Sequence, residues 1–123
     1  MMAVETELRP SPISGIGVFA KHAIARGDVV WKLDERFYLT VKAEDVAAFP
    51  PLMQRHIATY SYPHLTKPGL LCCEIDNGRF MNHSKDANTV FTNPEIAWAT
   101  RAIAAGEEIT CNYAEFIPGF NGF

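Results

Sequence analysis

The sequence predicts a mostly β protein made of several short sheets with one small helical insert, and three observations carry that reading. Short apolar and β-branched runs recur between turn signals, helix-period patterning is confined to about residues 42–62, and no repeat or low-complexity tract intervenes. At 123 residues the chain has the commonest size of a single domain. One domain over residues 1–123 is expected, ending in a short aromatic tail at 114–123.

Taken in order, Val4, Thr6 and Leu8 alternate as a short strand, and Pro10-Ser11-Pro12 breaks it. A glycine segment, Gly15-Ile16-Gly17, then feeds a second strand through Val18-Phe19-Ala20. Arg26-Gly27-Asp28 turns the chain into a third strand over 29–33. Residues 43–49 are helix-compatible, Pro50-Pro51 interrupts, and Met53, His56, Ile57 and Tyr60 recur on one helical face. Pro51 suits a first helical position, where its missing N–H is no loss. Residues 70–75 read as a strand, Asp76-Asn77-Gly78 as a turn, and 89–92 as another short strand. Asn93-Pro94 turns the chain into 96–102, and Ala105-Gly106 turns it again into a last strand over 108–113.

Composition narrows the function classes. With 48% hydrophobic and 20% charged residues the chain sits among ordinary globular proteins rather than disordered ones. A net charge of -3 argues against non-specific attachment to phosphate backbones and suits a cationic partner better. No apolar run reaches bilayer-spanning length, and Met1-Met2-Ala3-Val4-Glu5 has neither a basic leader nor an apolar stretch behind it. The expectation is an intracellular protein, cytoplasmic before nuclear or host-delivered. Cys72, Cys73 and Cys111 cannot close a disulfide framework, and neighbours on a strand point to opposite faces and do not share one metal. They are read as reduced, mostly buried thiols, with no metal site expected.

Three polar islands carry chemistry. Gly15-x-Gly17-x-x-Ala20 formally matches a dinucleotide fingerprint, but Pro10 and Pro12 precede it and Gly27 arrives before a helix can develop. A ligand loop or a plain glycine hairpin remains. Arg79-Phe80-Met81-Asn82-His83-Ser84 alternates bulky apolar with polar side chains, as in a buried segment whose polar atoms have definite partners, although Asn and His also cap ordinary turns. In Gly106-Glu107-Glu108-Ile109-Thr110-Cys111-Asn112-Tyr113, a strand running to its end would project Ile109, Cys111 and Tyr113 to one face.

In this order these segments resemble the signatures of the SET-domain protein lysine methyltransferases, and Asn82-His83-Ser84-Lys85-Asp86-Ala87-Asn88 is similar to the form found in compact viral SET proteins. The resemblance implies several short sheets, with the Asn-His segment threaded through a loop near the C-terminus as a pseudoknot. It implies S-adenosyl-L-methionine as cofactor, held by main-chain groups of Ser14, Gly15, Ile16 and Gly17, by the Asn82 side chain, by the His83 main chain and by Tyr113. Tyr113 is the implied catalytic residue, orienting the target amine and the sulfonium methyl, with Cys111 and Tyr113 lining the substrate side.

The implied partner is a basic, lysine-bearing protein or peptide, histone-like or otherwise, with no direct nucleic-acid or membrane contact. The compact viral relatives also imply a homodimer. Cys111 stands where the family usually has Phe or Tyr, which leaves the number of methyl groups added open. Asn112, Lys85 and Ala87 are further departures. A SET-fold binding module without turnover is the alternative, and a Cys-dependent hydrolase using Cys111 or Ser84 with His83 a remote one. Phe116, Phe120 and Phe123 supply aromatic surface to cover the site or to pack as a tail.

Overall fold

The computed structural model describes residues 1–121. Among these, the strands are β1 (Thr6–Pro10), β2 (Ile16–Ala20), β3 (Val29–Lys32), β4 (Tyr38–Lys42), β5 (Ser61–Pro63), β6 (Leu70–Glu74), β7 (Asn82–His83), β8 (Thr89–Asn93), β9 (Ile96–Ala99) and β10 (Glu108–Cys111). They form three small sheets, ordered β1-β2-β10-β7, β3-β9-β8 and β4-β6-β5. The expected mostly β architecture of several short sheets is present. Between β4 and β5 a 3₁₀ helix, Ala43–Ala48, leads into helix α1 (Pro51–Tyr60), with Pro51 in the first turn as expected.

The first sheet positions everything that follows. β2 is paired on both edges, antiparallel to β1 and to β10, so Val18, Phe19 and Ala20 are all buried. β10 carries Ile109 opposite Val18 and on its other edge takes β7 in parallel, Thr110 opposite Asn82 and Cys111 opposite His83. The apolar core gathers Val18, Val30, Trp31, Ala97 and Ile109 from the first two sheets and Ile103 from the connection between β9 and β10. In the third sheet β6 is central, and Tyr62 of β5 lies opposite Cys72 of β6. Cys72 and Glu74, two residues apart, point to one face and are both buried.

Four expectations are corrected. The first strand begins at Thr6 and includes Pro10, because β1 is an edge strand that can do without that N–H. β4 and β5 flank the insert where no strand was expected. Of the predicted helical face only Ile57 is buried, and Met53 is half exposed, because α1 has little contact with the sheets beyond β5 and β6. The last strand stops at Cys111, and Tyr113 opens a 3₁₀ turn, Tyr113–Glu115, in which the Asn112 side chain accepts the Ala114 N–H.

A parallel ladder of two residues is too short to hold by itself, and side chains complete it. Asn88 is buried between the strands: its Oδ1 accepts the Thr110 N–H at 2.9 Å and its Nδ2 donates to the Glu108 carbonyl at 2.8 Å. The Thr89 hydroxyl donates to the Thr110 carbonyl at 2.7 Å. Replacing Asn88 by Ala leaves a buried N–H and a buried carbonyl without partners, so Asn88→Ala is expected to cost about 2–4 kcal/mol. Equilibrium urea unfolding measures it, and a loss below the error of the method would show that the clamp does not hold β10.

Candidate functional site

The site forms where the early glycine loop, β7 and the end of β10 meet. The loop is folded on itself: Ser11 N–H donates to the Gly15 carbonyl at 2.8 Å, and Gly15 has a φ of 48°, a conformation suited to glycine. Its carbonyls turn toward β7. The Asn82 amide donates to the carbonyls of Ser14 at 3.1 Å and Ile16 at 3.4 Å, and to Glu108 Oε2 at 3.0 Å. Glu108 also accepts the Ser11 hydroxyl at 2.8 Å. One carboxylate therefore ties the loop to both β7 and β10.

Gly17 makes this approach feasible. A Cβ at that position would stand 2.4 Å from Glu108 Oε2 and 3.0 Å from the Ser11 Cβ. Any side chain there would push the carboxylate away from Asn82.

On the other side of β7, His83 is tied to Tyr113. The Tyr113 backbone N–H donates to His83 Nδ1 at 3.1 Å, and the two rings lie 5.3 Å apart. The bond requires Nδ1 to be unprotonated, which engages this ring in structure rather than in abstracting protons. The Tyr113 hydroxyl donates to the Met81 carbonyl at 2.6 Å. Phe116 and Phe120 pack against the Tyr113 ring at 5.7 and 5.6 Å, and Phe120 lies 4.7 Å from His83. Phe123 lies outside the described residues.

Burial, and then the neighbouring Cys111, push the Tyr113 phenol up, so it stays protonated at neutral pH. Burial, reinforced by Glu115 and Glu74, likewise pushes the Cys111 thiol up. A buried thiol that holds its proton is a poor nucleophile, which counts against a Cys111 hydrolase. Beside this cluster, and sharing Phe116 with it, a cleft of about 390 Å³ runs between the segment after β5 and the tail, with His64, Leu65, Phe91 and Glu115 also in its walls.

The structure thus brings the residues singled out in the sequence to one place: Ser14 and Ile16 bond Asn82, Gly15 and Gly17 shape the loop, Cys111 pairs with His83, and His83 bonds Tyr113. Tyr113 reaches this place by the turn after β10 rather than by strand alternation. Sequence reasoning missed Glu108 and the Met81 carbonyl. Glu108 reads as an ordinary surface charge, and nothing in its neighbours announces that it points at Ser11.

With this geometry in place, comparison with known proteins is informative. The SET domain family model matches residues 15–114, and the chain belongs to that family. Among solved structures it is similar to a candidate histone methyltransferase of Plasmodium falciparum, at 19% identity, TM-score 0.64, covering 91% of this chain and 95% of that one. It is also similar to a humanized mutant of Chaetomium thermophilum Polycomb Repressive Complex 2 bound to an inhibitor, at 23% identity and TM-score 0.67, covering 95% of this chain. A second Polycomb Repressive Complex 2, an active form in its basal state, matches at 23% identity and TM-score 0.65 over 94% of this chain. The chain spans 16% of each of those two chains, and at these identities the likeness is one of fold. No curated protein sequence gave a significant match.

The contact between Gly17 and Glu108 is testable. Gly17→Ala is expected to destabilise the protein by about 1–3 kcal/mol through overpacking. Most of that loss should disappear when the same change is made on a Glu108→Ala background, because the obstructing carboxylate is gone. Strict additivity in a double-mutant cycle of thermal unfolding would rule the contact out.

Proposed function

We propose that this chain transfers methyl groups from S-adenosyl-L-methionine to lysine side chains of a basic protein. The observation that carries the reading is the single hydrogen-bonded unit running from the Ser14 and Ile16 carbonyls through Asn82 and Glu108, alongside the His83–Tyr113–Met81 bonds. The parallel pairing of β7 with β10 supports the pseudoknot that the family resemblance implies.

The residues present fit the cofactor. Around Asn82 the surface is rich in acceptors, two main-chain carbonyls and a carboxylate, which suits a ligand carrying an ammonium and a positive sulfur. The rings of His83, Tyr113 and Phe120 stand beside them and suit a flat base and a cationic centre. When bound, the cofactor supplies an electrophilic methyl group on that sulfur.

The chain's own residues must present an uncharged amine to it. A lysine with a reference pKa of about 10.4 is neutral in roughly one molecule in a few thousand at pH 7. Tyr113 does not serve as a phenolate base, since its proton is held and donated to the Met81 carbonyl. Its oxygen keeps acceptor capacity and can orient the amine or the polarised methyl C–H groups. The packed rings of Phe116 and Phe120 fix the direction of the phenol, which is how a positioned site lowers the barrier.

Incubation of the protein with methyl-labelled cofactor and a panel of basic proteins should put label on lysine. Tyr113→Phe is expected to lower turnover on the order of a hundredfold, and Asn82→Ala to weaken cofactor binding on the order of tenfold or more by calorimetry. Wild-type behaviour in both variants would overturn the assignment of roles. Binding of cofactor with no transferred label would favour the module without turnover.

A further inference from the structure

The proposed reaction leaves one proton unaccounted for, and the fold holds one buried group that the site described so far does not use. Glu74 ends β6 with only 6% of its surface exposed. Its Oε1 accepts the Tyr62 hydroxyl at 2.8 Å, while Oε2 is buried without a hydrogen bond of good geometry among the described residues. A carboxylate this secluded is costly unless it has a task or a compensating partner.

Its location matters. Tyr62 packs its ring edge-on against Phe116 at 5.7 Å, and Phe116 packs against Tyr113 at 5.7 Å. The Cys111 thiol responds to the Glu74 charge, and Tyr113 responds to Cys111. Tyr62 and Glu74 thus back the wall formed by Cys111, Tyr113 and Phe116. Phe116 also stands in the wall of the 390 Å³ cleft.

Resting on the methyl-transfer reading, we propose that Glu74, acting through Tyr62, receives the proton that the acceptor ammonium must lose. An N–H bond of the ammonium breaks and its proton passes to Tyr62 Oη. The Tyr62 O–H bond breaks in concert and that proton passes to Glu74 Oε1. An ammonium and a carboxylate become an amine and a carboxylic acid, with no change of oxidation state and no free phenolate. After the product leaves, the proton returns by the same route to solvent. Two opposite charges in a poorly solvated site are thereby exchanged for two neutral groups, the direction that low polarity favours.

The surroundings agree with this use. Burial pushes the Glu74 carboxyl up, Asp76 pushes the same way, and the amino terminus, Tyr62 and the Trp31 indole oppose them. Other titratable groups close to the pair are Cys72 on the same strand, pushed up to about 11 mainly by burial, and Cys111 on β10. Tyr38 lies opposite Glu74 on β4 and is raised by burial. Tyr62 itself is raised far above the ordinary phenol, first by burial and then by Glu74, so it relays a proton without parting with one for long. Asp76 is bonded to the Met2 N–H and caps the Gly78 N–H.

Glu74→Gln keeps the shape and an acceptor for Tyr62 but cannot take the proton, and Tyr62→Phe removes the relay. Label transfer to a lysine substrate found in the panel is followed from pH 6 to 10.5. Both variants are expected to lose on the order of tenfold or more in turnover at pH 7 and to approach wild type near pH 10, where the amine is neutral unaided. Profiles that coincide with wild type, or that lie below it by the same factor at every pH, overturn the inference.

A second measurement needs no turnover. A carboxyl whose folded pKa is raised gives stability that is present below its unfolded value, about 4.3, and lost as pH rises through the folded value. Glu74→Gln should therefore unfold at a higher temperature than wild type at pH 8 but not at pH 4, and the same temperature difference at both would also overturn the inference. If the wild-type chain itself labels no lysine, the methyl-transfer reading fails and this inference with it. If wild type labels lysine and Glu74→Gln follows it, only the inference fails.

Discussion

The arrangement depends on a parallel contact only two residues long, Asn82 and His83 against Thr110 and Cys111. Main-chain bonds alone cannot hold so short a ladder, since the entropy of ordering two residues outweighs them. Side chains supply the rest. Asn88 and Thr89 bond the β10 backbone from behind, Asn82 reaches the glycine loop in front, and His83 accepts the Tyr113 N–H two residues beyond the strand. Because these bonds converge on one strand, the loop, β7 and the turn at Tyr113 are ordered together or not at all.

Charge is distributed with the same economy. Acceptors cluster at one end, where Glu108 joins Asn82 and the loop carbonyls. At the other end the titratable groups are kept neutral: the Tyr113 phenol and the Cys111 thiol are both pushed up by burial. Such a gradient draws a cation to the first end and disfavours it at the second.

Much of this was legible in the sequence, and the parts that were not have a common cause. Strands with apolar or β-branched residues between turn signals, β2, β3, β6 and β8–β10, were read within a residue or two at most ends, because their burial is written into local composition. β5, three residues ending in proline, and β7, two residues, carry no local pattern and exist through partners that are distant in sequence. The Tyr113 turn was announced by Asn112, a residue type that favours caps, but alternation from Ile109 to Cys111 invited the strand to run on. Glu108 and Glu74 illustrate the same limit: a carboxylate reads as surface, and only the register that sets it against Ser11 or Tyr62 reveals its use.

The tail belongs to the site rather than merely following it. Phe116 meets Tyr62, Phe91 and Tyr113, three rings from three different parts of the chain, and Phe120 meets His83 and Tyr113. Aromatic contacts of this kind add roughly 0.5–1.5 kcal/mol each beyond the area they bury. The phenol's direction is consequently set from two sides, by its bond to the Met81 carbonyl and by rings supplied after residue 113. Since the cleft shares Phe116 with this packing, whatever fills the cleft presses on the ring that holds Tyr113. The cleft wall and the posture of the phenol are therefore joined through a single side chain.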